Sequence, residues 1–257
     1  MNTAMKKTEV IIPDWPAAAA VRALSTTRRG GYSSGPWAGF NLADHVDDDP
    51  AAVAANRALL REAYQLPAEP RWLQQVHGTA VCLAGQADDS CADAAFTRDA
   101  GVVCAVMTAD CLPLLLCDRA GSAVAAVHAG WRGLLAGVIE QAVARFGAPP
   151  NDLLAWLGPA IGPNAFEVGD EVRDAFVAED SAAASCFSAN RGGHWLADLY
   201  GLARLRLRRL GIESVYGGDQ CTYSDGRRFF SYRRDGVTGR MASLIWLQPE
   251  TDGQSDD

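Results

Sequence analysis

A chain of 257 residues, 49% hydrophobic and 21% charged, has the apolar content to bury one large core or two small ones. Its net charge of −8 supplies no basic excess to neutralise phosphates, which argues against a nucleic-acid binder. It has no export signal, no run of about 18 apolar residues and, among its seven cysteines, no CxxC pair; this predicts a cytoplasmic protein with reduced thiols and no membrane span.

In chain order, residues 9–12 and 20–27 read as strands on their Val, Ile, Leu and Thr content. RRGGYSSGPWAGFNLADHVDDDP follows, a long loop whose aromatics and arginine pair mark it as packed or functional. Pro50 opens a helix behind three aspartates, with Val53, Leu60 and Tyr64 on one side and Pro67 as its end. Residues 71–84 read as a strand pair broken at His77-Gly78, 87–99 as a loop of small polar residues, and 101–107 as a buried strand.

The most informative stretch is 108–133, TADCLPLLLCDRAGSAVAAVHAGWRG. Its apolar runs at 112–117 and 123–127 predict a hairpin of buried strands. A turn centred in DRAGS sets Cys111 directly opposite His128, on one face of the sheet. Beyond it, 134–146 reads as a helix closed by Gly147 and 153–157 as a strand. The rigid loop GPAIGPNAFEVGDEV leads to a helix near 171–178, and 196–210 forms an amphipathic helix stopped by Gly211. Strands at 213–216, 228–233 and 241–247 close the fold, the last two joined through a turn holding Asp235, Gly236 and Gly239. The acidic tail PETDGQSDD reads as disordered. No internal repeat or linker divides the chain, so a single domain over 1–257 is expected, with an ordered core of about 8–248.

Four histidines are present: His45, His77, His128 and His194. His77 precedes a glycine, His128 precedes Ala129-Gly130, and Cys111 follows Asp110 at a strand start. Two imidazoles and a thiolate suit Zn²⁺ with a fourth position open, the pattern of a catalytic site. The spacing equally allows two ordinary polar histidines and a structural thiol. A third option is a nucleophile–base dyad of Cys111 and His128 oriented by Asp110. The dyad does not need His77 nearby, whereas the metal site does. HAGWRG offers a possible anion site through small residues, a helix start and Arg132. FFSYRRDGVTGR adds Tyr232, Arg233, Arg234 and Arg240. The zinc deaminase H-x-E/P-C-x-x-C signature, the G-x-S-x-G elbow, the P-loop and the G-x-G-x-x-G fingerprint are all absent.

TTRRGGYSSGP, QQVHG, TADCLPLLL, HAGWRG, GPAIGP with FEVGDEV, and CTY with FFSYRRDGVTGR occur in the order found in one family. Together they make the chain resemble the YfiH-type laccase-domain, or polyphenol-oxidase-like, proteins. The resemblance implies an α/β (α+β) fold of mixed β-sheets flanked by helices, similar to the cysteine deamidase domain of a bacterial toxin. It implies a metal site, usually zinc, at His77, Cys111 and His128. It also implies a purine nucleoside and phosphate as partners: phosphorolysis of adenosine, inosine and methylthioadenosine to base plus ribose 1-phosphate, and hydrolytic deamination of adenosine. A link to editing of peptidoglycan precursors comes with it, and a Cys111 hydrolase or amidase of that kind is the alternative reading. A non-enzymatic metal-sensing or partner-binding protein is a third.

Four histidines are too few to hold several coppers, so copper-dependent phenol oxidation ranks below nucleoside chemistry, although a single copper suits the same ligands. For deamination, a zinc-activated water would attack C6 of adenine with Asp110 as proton shuttle. For phosphorolysis, Arg28, Arg132 and Arg233 are the phosphate candidates and Asn41 the candidate for a ribose hydroxyl. The oligomeric state is left open.

Overall fold

In the computed structural model, which describes residues 7–86 and 90–249, the apolar runs become strands of three sheets. β1 (Val10–Ile11) pairs with β2 (Val21–Thr26). The carboxylate of Asp49 accepts from the Ala51 amide at 2.9 Å and, with Pro50 in the first position, starts α1 (Pro50–Ala63). β3 (Val81–Leu83), β4 (Ala94–Thr97), β5 (Val103–Thr108), β6 (Leu112–Asp118) and β7 (Val124–Ala129) follow. Next come α2 (Trp131–Ala136), α3 (Val138–Ala144), β8 (Leu153–Leu157), β9 (Glu167–Val168) and α4 (Asp170–Glu179). β10 (Phe187–Ala189), β11 (Trp195–Ala197), α5 (Leu199–Arg209), β12 (Val215–Gly217), α6 (Tyr232–Asp235) and β13 (Met241–Leu247) complete the chain.

A four-stranded sheet in the order β1-β2-β13-β5 packs on a six-stranded sheet in the order β12-β8-β6-β7-β4-β3. Strand alternation divides the apolar residues between layers. Leu115, Cys117, Val124 and Ala126 meet Cys104, Val106 and Ile245 between the sheets. Leu112, Leu114 and Leu116 instead join the core formed with α2 to α5. On the outer face of the smaller sheet, Val103, Ala105 and Leu244 pack with Leu59 and Leu60 of α1. All of β6 is buried because both of its faces are covered, which is why its sequence is continuously apolar rather than alternating. The result is an α/β (α+β) fold of mixed sheets flanked by helices. Among the described residues, no helix is long and apolar enough to cross a membrane.

Several local expectations change. Residues 71–84 do not form a strand pair: only β3 is regular, and side chains satisfy the backbone of the irregular part. The Gln75 carboxamide bonds both main-chain groups of Met107 at 2.7 and 2.8 Å, and a carboxylate takes the amides of residues 76–78. The loop expected over 87–99, of which 87–89 lie outside the described residues, contains β4. Its alanines have little intrinsic strand preference, but burial between β3 and β7 supplies the pairing.

The helix expected over 134–146 starts earlier, at Trp131, and divides at Gly137, whose φ of +97° an α-helix cannot continue through. The helix expected over 196–210 begins only at Leu199, because Asp198 caps it and the preceding residues pair as β11. Residues 228–233 are not a strand. Ser231 caps the single turn α6, and β13 pairs with β2 and β5 instead. The small sheet β10-β11-β9 has no counterpart in the sequence reading. The tail from residue 250 onward lies outside the described residues.

Candidate metal centre

β6 and β7 form the expected hairpin, with one correction. Pro113 pairs with His128 and Leu112 with Ala129, so Cys111 does not stand directly opposite His128. The offset is two residues, an even number, so Cys111 remains on the same side as His128. His77 arrives from a separate turn with φ +60°. The ligand atoms of His77, Cys111 and His128 all lie within 4.8 Å of one another. Cys111 Sγ is 3.7 Å from His77 Nε2, and the two imidazole centroids are 4.8 Å apart.

The group that assembles them is Asp93, which precedes β4 and which the sequence reading missed. Its fully buried carboxylate accepts from His128 Nδ1 at 2.7 Å. The same two oxygens accept the amides of Val76, His77 and Gly78 at 3.2, 2.9 and 2.7 Å. One side chain therefore orients one imidazole and holds the turn that carries the other. With Nδ1 committed, Nε2 of His128 is left as its ligand atom.

HAGWRG contributes space as much as charge. A Cβ at Gly130 would stand 2.9 Å from His77 Cδ2 and 3.0 Å from Cys111 Sγ, and one at Gly133 would stand 2.9 Å from the Gly78 carbonyl. Only glycine lets the start of α2 approach His77, Cys111 and the turn after His77 this closely.

Burial opposes charge on each of these groups, and their neighbours outweigh it. Hydrogen bonds from His128 and from the Gly78 and Val76 amides hold Asp93 below its usual range. His128 and His77 pull the Cys111 thiol down, while Cys111 and Asp93 push His128 up. Each partner of the pair thus favours the charged form of the other, the Cys111 thiolate and the His128 imidazolium.

The three residues line a cavity of about 500 Å³. Trp131, Phe166 and Tyr232 give it aromatic walls, and Arg132, Arg233 and Arg240 give it positive charge. Arg132 stacks on Trp131 at 4.4 Å. Arg233 donates to the Glu167 carbonyl at 2.8 Å, and Arg240 to the carbonyls of Thr238 and Gly239. His45 also lines the cavity, which nothing in its sequence neighbourhood indicated.

Asp110, with φ +96°, is the only carboxylate among the described lining residues. Its oxygens accept from Thr222 Oγ1 at 2.6 Å, Ser231 Oγ at 3.0 Å and the Arg233 amide at 2.7 Å. It ties the CTY and FFSYRR segments to the start of β6.

Arg28 and Asn41 are not brought to this cavity. The Arg28 guanidinium lies 4.6 Å from the Phe230 ring centre and donates to the Gly226 and Ala38 carbonyls. Asn41 is fully buried. Its amide donates to the Ala43 carbonyl and the Asp48 carboxylate, and its oxygen accepts the amides of Ala43 and Arg240. The Asn41 carboxamide is fully engaged in shaping the loop, which leaves it no group for the ribose contact expected of it, and Arg28 does not line the cavity in which its anion contact was expected.

Residues 22–248 match the family described as "Multi-copper polyphenol oxidoreductase laccase". The chain is 57% identical over 240 residues to Purine nucleoside phosphorylase PA4543 of Pseudomonas aeruginosa, covering 93% of this chain and 98% of that protein. It is 54% identical over 241 residues to Purine nucleoside phosphorylase YfiH of Escherichia coli K12, covering 93% and 99%. The crystal structure of Neisseria meningitidis protein NMB0706 superposes with a TM-score of 0.88 at 51% identity, covering 93% of this chain and 99% of that one. YlmD from Geobacillus stearothermophilus superposes with a TM-score of 0.82 at 32% identity, over 90% and 93%.

Proposed function

The chain belongs to the multi-copper polyphenol oxidoreductase laccase family, with relatives named purine nucleoside phosphorylase, and on that premise we propose that it is an enzyme cleaving purine nucleosides with phosphate at a zinc site. The observation that carries the reading is the convergence of His77, from a distant turn, on Cys111 and His128. A nucleophile–base dyad has no use for that third residue. Two imidazoles and a thiolate, one imidazole oriented by a buried carboxylate, fit a three-ligand zinc site with an open position. The set also suits a single copper. With four histidines in the whole chain, the family's multi-copper description is not carried over.

Bound there, zinc supplies a Lewis acid at the cavity wall. The chain's own residues do the rest. Trp131 and Phe166 offer faces for the purine. Arg233 and Arg240 draw phosphate to the same cavity, while Arg132 lies at its edge on Trp131 without being needed to hold the anion. A phosphate oxygen attacks C1′ as the bond from C1′ to the purine nitrogen breaks, and the base leaves with the electron pair. Asp110 positions Arg233 through the main-chain bond.

Adenosine, inosine and methylthioadenosine are the proposed substrates, with hydrolytic deamination of adenosine as a second reaction of the cavity. In that reaction Asp110 is the proposed proton carrier, because its three hydrogen bonds leave one acceptor position on Oδ1 open. Cys82, Cys104, Cys111, Cys117, Cys186 and Cys221 carry free thiols, consistent with the reducing cytoplasm in which we place the enzyme.

The test is product analysis on zinc-replete protein with adenosine and inosine, with and without phosphate. Base and ribose 1-phosphate should form only with phosphate, and inosine and ammonia should form from adenosine without it. Absence of phosphate-dependent cleavage overturns the phosphorolysis reading. One observation favours a second reading, a Cys111–His128 hydrolase of a cell-wall precursor: the thiol is held low by the adjacent imidazole. A thiol reagent would then abolish activity that thorough chelation leaves intact.

A further inference from the structure

Beside the metal cavity lies a second compartment of about 350 Å³. Trp131, Arg132, Phe166 and Arg233 line both, so the two share a wall. None of the three candidate metal ligands reaches the second compartment. What it adds is acidic: Glu167 and Glu171, at and just beyond β9, with His194 across from them in sequence. Glu167 already accepts from Asn190 Nδ2 at 2.6 Å. Glu171 has no hydrogen bond or ion pair among the described residues, and Arg132 has only its stacking contact with Trp131. An uncommitted carboxylate and an uncommitted guanidinium therefore line one compartment that adjoins the proposed nucleoside cavity.

We propose that this compartment receives a zwitterionic amino-acid group joined to the 5′ position of the nucleoside, with its α-carboxylate on Arg132 and its α-ammonium on Glu171. The proposal rests on the nucleoside reading above. A tail carrying only negative charge would meet Glu167 and Glu171 as like charges, and a purely cationic tail would meet Arg132 and Arg233. A zwitterion satisfies both signs, and each contact is a charge-assisted hydrogen bond. With the C6 edge of the purine at the metal ligands, where deamination needs it, C5′ is the end of the nucleoside farthest from them. The chemistry is unchanged: a phosphate oxygen bonds to C1′ as the C1′–N9 bond breaks. Adenine leaves with the electron pair and takes a proton from water, and the thioether at C5′ stays intact.

The probe is S-adenosylhomocysteine, compared with adenosine on zinc-replete wild type, Glu171→Gln and Glu171→Lys. Phosphorolysis is followed by adenine release, and equilibrium binding by calorimetry. Wild type should bind and cleave both compounds. Glu171→Gln should lower kcat/KM and affinity for S-adenosylhomocysteine about tenfold or more, as loss of a charged hydrogen bond does, while adenosine stays within about twofold. Glu171→Lys should lower them further.

Failure to bind S-adenosylhomocysteine, or equal losses for both compounds in either variant, overturns the proposal. If neither compound is cleaved but S-adenosylhomocysteine binds in a Glu171-dependent way, the phosphorolysis reading fails and the binding site stands.

Discussion

Asp93 and His128 form a buried pair at 2.7 Å, and the same carboxylate holds the amides of the turn that carries His77. Asp93 is thus the point at which two elements distant in sequence become one site. Asp93→Asn replaces a carboxylate acceptor with an amide that must present its own donor to one of these N–H groups. Loss of an orienting partner of this kind weakens metal affinity about 10- to 100-fold. Chelator competition on folded protein measures it, and an unchanged zinc affinity would show that the turn and imidazole are held by other contacts.

The same carboxylate makes a pH prediction. Its folded pKa lies below the unfolded value of 3.8. Its contribution to stability is therefore full above that value and drains away as the pH falls through the folded one. Wild type should lose stability more steeply below pH 3.8 than Asp93→Asn, measured by urea unfolding across the acid range. Parallel curves would contradict the assignment.

Gly130→Ala tests the close approach of α2. The added methyl would sit 2.9 Å from His77 and 3.0 Å from Cys111, so either the ligands or the helix must move. Overpacking of this type costs about 1–3 kcal/mol. The variant should unfold at lower denaturant and bind substoichiometric zinc; full zinc content at wild-type stability would refute the crowding.

Cys111 should be the most reactive thiol of the metal-free protein near neutral pH. His128 and His77 favour its thiolate, whereas Cys104 and Cys117 are buried with their thiols pushed up. Mass spectrometry after brief alkylation should find label at Cys111, and prior addition of zinc should block it. Label spread over the buried cysteines would show that the two imidazoles do not favour the Cys111 thiolate.

Arg240→Met and Asn41→Ala should separate binding from structure. The first removes a cation from the cavity and should raise the KM for phosphate with stability largely kept. The second leaves the Asp48 carboxylate and three backbone groups without the partner they share, at a cost on the order of 1–3 kcal/mol. It should leave the KM of the remaining folded fraction unchanged. A rise in nucleoside KM for Asn41→Ala without loss of stability would restore the ribose role expected from the sequence.

What the sequence determined by itself was whatever depends on near neighbours. Wholly apolar runs became β6, β7, β8 and β13, because a strand covered on both faces has no polar side to show. Asp49-Pro50 started α1 through a bond to a residue two positions away. The reactive residues at the ends of β6 and β7 were visible in the same way. Tertiary structure alone decided the rest. An acid in a run of small residues carries no mark of its future partners, and Asp93 acquires them only when β4 lies beside β7 and the turn at 76–78 folds over its carboxylate. The segment 228–233 looked like a strand because it is aromatic. Its burial comes from Phe229 and Phe230, and its backbone is instead committed to Ser231 and Asp110. Arg28 and Asn41 resemble ligand-binding residues in one dimension; in three, Asn41 is consumed by the loop it holds in place and Arg28 lies outside the cavity lining. Side-chain hydrogen bonds across 16 to more than 100 residues of chain leave no periodic trace, so only the folded arrangement reveals which polar groups are spent and which remain free to act.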